Sequence, residues 1–150
     1  EADLLFQLDG DADVMKYITL GIPRTMDEVI EKSMPRVLQS YQDKSDFGIF
    51  AAYLINSDEY IGWFQFEKDK EFEDSIEIGW RLKKQYWGNG YATEVAIVLC
   101  ELGIKMGKTI VARAMIENLA SIRVMEKAGL KFEKKFWYPH SSSPDVLYKR

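Results

Sequence analysis

Apolar residues gather in three strand-length stretches, Phe47 to Ile55, Tyr60 to Phe66 and Ser75 to Leu82. Asn56-Ser57-Asp58 separates the first two as a turn, and the charged run Glu67 to Asp74 connects the second to the third. Short connections of this kind predict an antiparallel meander. After Gly90 the period changes: Ala92, Val95, Ala96, Leu99, Leu102 and Met106 fall on one helical face. Ile110 to Met115 then reads as a strand running parallel to the one before the helix, through a right-handed crossover. Asn118 is placed to cap a further helix and Gly129 to end it. A strand from Leu130 to Phe136, a Pro/Ser loop over 137–145 and a short strand at Val146 to Tyr148 close the chain.

The start is helical. Leu4, Leu5, Leu8 and Met15 suggest an opening helix broken near Asp9-Gly10-Asp11. Thr25 to Glu28 reads as a capping box, predicting a helix to about Ser33, where Pro35 ends or kinks it. The sum is an α/β chain with one mixed sheet, antiparallel early and parallel late, and helices on both faces. No repeat, linker or second domain shows, so residues 1–150 read as a single domain.

The connection into the central helix carries the chemistry. In Gln85-Tyr86-Trp87-Gly88-Asn89-Gly90-Tyr91-Ala92-Thr93, two glycines permit a tight turn and close approach of a ligand to the backbone. The first amides of the following helix lack helical partners, and the helix dipole favours an anion there. A phosphate or pyrophosphate suits the loop. The dinucleotide fingerprint fits poorly, because Thr93 stands where its third glycine belongs. Gly107-Lys108-Thr109 mimics the tail of a nucleotide-triphosphate loop, but Leu102 occupies the leading glycine position, and the stretch reads as helix stop and strand entry.

Gln-x-x-Gly-x-Gly at Gln85, Gly88 and Gly90 resembles the coenzyme A loop of the GNAT acetyltransferase superfamily. Asn118-Leu119-Ala120-Ser121, continuing to Lys127-Ala128-Gly129-Leu130-Lys131-Phe132, is similar to a helix of the branch that includes ribosomal-protein N-terminal acetyltransferases. The resemblance implies a GNAT fold with splayed central strands and acetyl-CoA as cosubstrate. It implies that Trp80, Arg81 and Leu82 pair with the coenzyme's pantetheine arm through their backbone. Gln85, Gly88, Asn89, Gly90, Tyr91, Ala92 and Thr93 would meet its phosphates, and Asn118 would hydrogen-bond it while capping its helix. It also implies a first strand ahead of the opening helix, which this sequence, starting at Glu1 without Met, does not show.

Acetyl transfer to an amine needs a base, because an ammonium has no free lone pair. Glu77 is the candidate base, directly or through a water. A glutamate on an exposed strand face would look the same in sequence, and strand parity decides between the two. The resemblance makes Ser121 the candidate acid near the leaving thiolate, with Tyr138 the alternative. Arg123 and Lys127 share a helix face that is either phosphate-directed or simply solvated. Trp63, Trp80 and Trp87 read as packing residues.

Composition narrows the partners. With 20 basic and 24 acidic side chains the formal charge is −4, which argues against a nucleic-acid binder and weakly favours a cationic substrate. The single Cys100 fits a core position and a reducing cytoplasm. With one Cys and the lone His140, no metal site is expected. No stretch approaches a membrane span, and a monomer or homodimer is expected. The expected function is N-acetyl transfer to a primary amine, a protein N-terminus or a small molecule. The alternative is a non-catalytic coenzyme A-binding module or sensor.

Overall fold

The structure is a computed structural model that describes residues 1–42 and 46–150. Among the described residues six strands form one sheet in the order β1-β2-β3-β4-β6-β5. They are β1 Gly48–Tyr53, β2 Tyr60–Lys68, β3 Ser75–Leu82, β4 Thr109–Met115, β5 Lys131–Phe136 and β6 Asp145–Lys149. The helices are α1 Ala2–Asp9, α2 Met26–Glu28, α3 Met34–Ser40, α4 Tyr91–Lys105 and α5 Leu119–Lys127. The chain divides into two compact units, residues 1–67 with 80–89 and residues 68–79 with 90–150. Among the described residues no helix is long and apolar enough to cross a membrane.

In the first unit, Thr25 forms the expected capping box: its hydroxyl accepts from the Glu28 amide at 3.2 Å, and Glu28 accepts from the Thr25 amide at 3.1 Å. The helix does not stop at Ser33. A π-helical turn, Val29–Ser33, leads directly into α3, and Pro35 sits in the first turn of that helix. In the π turn the Met34 amide reaches back to the Val29 carbonyl, and Pro35 follows it with no N–H to place. Strands β1 and β2 pair antiparallel, and Phe47 stacks on Phe66 at 5.5 Å. Gly62 on β2 has a packing reason: a Cβ there would lie 2.1 Å from the Arg81 carbonyl oxygen.

In the second unit, β3 pairs parallel with β4 from Ser75↔Thr109 to Glu77↔Val111, as the crossover predicts. The late sheet is not wholly parallel, however. β6 turns back and lies antiparallel between β4 and β5, with Val146, Leu147 and Tyr148 buried. Helix α4 also departs from expectation. Its fully buried line is Ala96, Cys100 and Gly103, whereas Leu102 and Met106 are exposed at 45% and 40%. Small residues let the helix backbone come close, and a Cβ on Gly103 would meet Ile110 Cδ1 at 2.2 Å. Cys100 is a core residue, and burial raises its thiol pKa. Gly107, at φ +73°, ends the helix two residues before β4 begins.

Candidate active site and coenzyme loop

Gly88 and Gly90 adopt φ of +77° and +82°, the left-handed region that glycine enters without strain. A Cβ at either position would meet nothing within 4 Å among the described residues, so both glycines face open space there. Asn89 shapes the turn from within: its Nδ2 donates to the carbonyls of Tyr86 at 3.1 Å and Trp87 at 3.2 Å. Gly90 is the N-cap of α4 and offers no side-chain cap. Glu94 N–H donates back to the Gly90 carbonyl at 2.9 Å. Among the described residues the amides of Ala92 and Thr93 have no hydrogen-bond acceptor. A 15-residue helix therefore begins with unsatisfied donors beside an open glycine turn, a cradle that fits a phosphate group.

The strand leading into the loop is tied down in the first unit. The Trp87 indole donates to the Leu82 carbonyl at 2.9 Å, and the Lys83 amide donates to Ile61 O at 2.9 Å. Gln85 Nε2 donates to the Tyr86 hydroxyl at 3.0 Å and to Glu59 Oε1 at 3.4 Å. The Arg81 side chain does not reach outward. It pairs with Asp9, stacks over the Trp63 ring at 5.0 Å, and its Nε is buried without a partner among the described residues. Asp9 is fully buried at the end of α1 and also takes Arg24 at 3.1 Å and the Ser33 hydroxyl at 2.5 Å. Burial pulls the Arg81 pKa below its usual value despite Asp9.

In the second unit, Glu77 lines a cleft of ≈ 210 Å³ with Asp69, Lys70, Glu71, Arg113 and Tyr138. Its side chain is 29% exposed, and Oε1 lies 3.1 Å from Arg113 Nη1. Strand parity thus turns Glu77 toward a concave, charged surface rather than open solvent. Arg113 also binds Asp69 at 2.5 Å and 3.3 Å and Glu71 at 3.1 Å. Burial opposes its charge, but the bonds it donates to Asp69, Glu71 and Glu77 prevail, with the Glu77 charge, and raise its pKa. Burial first, then the charge on Asp145, raises the Tyr138 hydroxyl above 10.0, so it stays protonated at neutral pH.

Ser121 and Asn118 lie together at the start of α5, where Asn118 Oδ1 accepts from the Ser121 amide at 3.3 Å. That confirms the cap; neither residue lines the Glu77 cleft. Arg123 and Lys127 are exposed, as is His140. Sequence reasoning passed over Arg113, Asp69 and Asp9. The signal for Arg113 was present: it is the one charge in Ile110-Val111-Ala112-Arg113-Ala114-Met115, and a buried charge requires partners. Its partners could not be read, because Asp69 lies 44 residues away, Glu71 lies 42 away and Glu77 comes from another strand.

Residues 1–131 match the family described as acetyltransferase (GNAT) domain. The chain belongs to the GNAT acetyltransferase family. An uncharacterised N-acetyltransferase, YnaD of Bacillus subtilis, is 32% identical over 88% of this chain and 74% of its own length. An FsC-acetyl coenzyme A-N(2)-transacetylase of Aspergillus fumigatus is 29% identical over 95% of this chain. The chain spans 63% of that fungal enzyme's length. A crystal structure of a GNAT-family acetyltransferase from Bacillus anthracis superposes with a TM-score of 0.79 at 28% identity, covering 99% of this chain and 87% of that one. A ribosomal L7/L12 α-N-protein acetyltransferase in complex with coenzyme A shares the fold, with a TM-score of 0.76 over 99% of this chain and 86% of its own. At 15% identity it stands as one structural neighbour among several GNAT proteins, and it shows the fold alone. The family is one of acetyltransferases, and the fungal relative is named for acetyl coenzyme A.

Proposed function

We propose that the protein is an N-acetyltransferase whose acceptor is a primary amine, a small molecule or a protein N-terminus, with Glu77 as the base. The observation that carries this reading is the placement of Glu77 in a cleft lined by Asp69, Glu71 and Tyr138. An amine arrives as an ammonium, and a cleft with three carboxylates and two cationic side chains accepts a positive group. A relative that is an N(2)-transacetylase acts on nitrogen, which supports an amine acceptor here.

Acetyl-CoA supplies an acetyl carbon activated as a thioester, to which the new C–N bond forms as the C–S bond breaks and the electron pair leaves on sulfur. Gly88, Asn89, Gly90, Tyr91, Ala92 and Thr93 hold its phosphates through backbone donors, with Gln85 and Asn118 as side-chain contacts. A backbone N–H of Trp80, Arg81 or Leu82 stabilises the developing oxyanion. Glu77 takes the proton that the ammonium must lose before attack, and the second proton leaves the nitrogen as the C–N bond forms and replaces the one given to the sulfur. Ser121, or Tyr138 in its place, returns a proton to the sulfur.

Thermal unfolding with acetyl-CoA, coenzyme A, ATP and NAD in parallel tests the loop. A ligand at 100 times its dissociation constant adds about 2.7 kcal/mol of stability, and only the first two compounds should raise the melt. Glu77→Gln then tests the enzyme: turnover should fall by about 100-fold or more while coenzyme affinity stays. A non-catalytic coenzyme A sensor would bind and show no turnover to lose.

A further inference from the structure

Three carboxylates converge on one guanidinium in the second unit, and only one of them serves the proposed chemistry. Asp69 is the fixed member. Its side chain is 1% exposed, and besides Arg113 it accepts from the amides of Glu71 at 3.0 Å and Phe72 at 2.7 Å. Asp69 is thus fixed by the turn it closes, and it takes both terminal nitrogens of Arg113, at 2.5 Å and 3.3 Å. Glu71 is the outer member, at 3.1 Å from Arg113 Nη2, and it is held in turn by Lys134 at 2.7 Å. Phe72 covers the guanidinium, its ring centre 5.9 Å from Arg113 Cζ. Glu77 is the remaining member, 3.1 Å from Arg113 Nη1.

We infer that Arg113 is the positioning residue for Glu77: a fork anchored by Asp69 and Glu71 fixes where the Glu77 carboxylate sits in the cleft. This rests on the reading of Glu77 as base. A guanidinium suits the task because its planar donors bind several carboxylates in set directions, which a lysine ammonium cannot reproduce. The effect is orientation. A proton acceptor must lie within hydrogen-bond reach of the attacking nitrogen, and a carboxylate free to rotate on a strand spends less time there. Arg113 itself touches no reacting atom in this scheme.

The experiment is a double-mutant cycle on acetyl transfer to a tested amine, using Arg113→Lys and Arg113→Met, each alone and combined with Glu77→Gln. Folding and coenzyme binding are checked in every variant by the shift in melting temperature with coenzyme A. If Arg113 acts through Glu77, Arg113→Lys should lower kcat by about 10-fold with the KM for acetyl-CoA unchanged, and it should have almost no further effect once Glu77 is glutamine. Arg113→Met should behave alike where it folds; where it does not, the lysine variant carries the test alone. Equal losses in both backgrounds would mean that Arg113 merely supports the fold, and the inference would be overturned while the base reading stood. Unchanged kcat in Arg113→Lys would overturn it as well. Full turnover in Glu77→Gln alone would remove the base reading, and this inference with it.

Discussion

Each unit contains an arginine clasped by an aspartate, and the two clusters do different work. In the first unit, Arg81 and Arg24 serve Asp9, which is wholly buried, and burial lowers the Arg81 pKa. In the second, Arg113 serves Asp69, Glu71 and Glu77 at a cleft, and its carboxylates raise its pKa. Opposite shifts in one residue type follow from the balance of desolvation against partners. Where one carboxylate is shared by two arginines, burial wins. Where one arginine is shared by three carboxylates, the partners win. The first arrangement is an anchor between α1 and the strand before the loop. The second leaves Glu77, the proposed base, held at an accessible surface.

The comparison breaks most visibly at Asp9. Asp9→Ala removes the common partner of two arginines and leaves Arg81 buried and uncompensated, so denaturant unfolding should show a loss of about 3–5 kcal/mol. A loss under about 1 kcal/mol, the range of a surface pair, would sink the idea of a buried anchor. Asp69→Ala should cost less, about 1–3 kcal/mol, because Arg113 keeps Glu71 and Glu77 as partners. Equal losses at the two aspartates would erase the distinction drawn here.

A smaller effect separates the loop from both clusters. Gly90→Ala meets no neighbour but must hold φ near +82°, so it should cost about 1–2 kcal/mol through backbone strain. Coenzyme A affinity, read by calorimetry, should fall with it, whereas Asp9→Ala should leave the affinity of the folded fraction unchanged.

The subtlest test is pH. Burial would raise the Asp69 carboxyl, but hydrogen bonds from Arg113 and from the Phe72 and Glu71 amides hold it below 3.8. A lowered folded value means that this stability is fully present above 3.8 and disappears as the pH falls through the lower folded value. Stability of the native protein and of Asp69→Asn, followed by urea unfolding from neutral pH downward, should differ above 3.8 and converge in stronger acid. A constant difference throughout would show that the charge of Asp69 contributes nothing.

Local signals were legible wherever one segment contains the whole cause. The capping box at Thr25 and Glu28, the Asn118 cap, the glycine turn at Gly88 and Gly90 and the limits of β3 depend on neighbours a few residues away, and the sequence displays those neighbours. The order of strands, the glycine loop and the Asn-x-x-Ser helix start together sufficed to indicate the family. Tertiary structure alone decided what depends on distant partners. It placed β6 between β4 and β5, because a strand's neighbour is chosen by register and burial across the sheet. It turned Leu102 and Met106 outward, because small residues let α4 approach along a different line. It carried helix through Pro35 by way of a π turn, Val29–Ser33, that leads directly into α3. It brought Asp69, Glu71 and Arg113 to Glu77, and Asp9 to Arg81, because a charge removed from water must find its counter-charge wherever the fold supplies one.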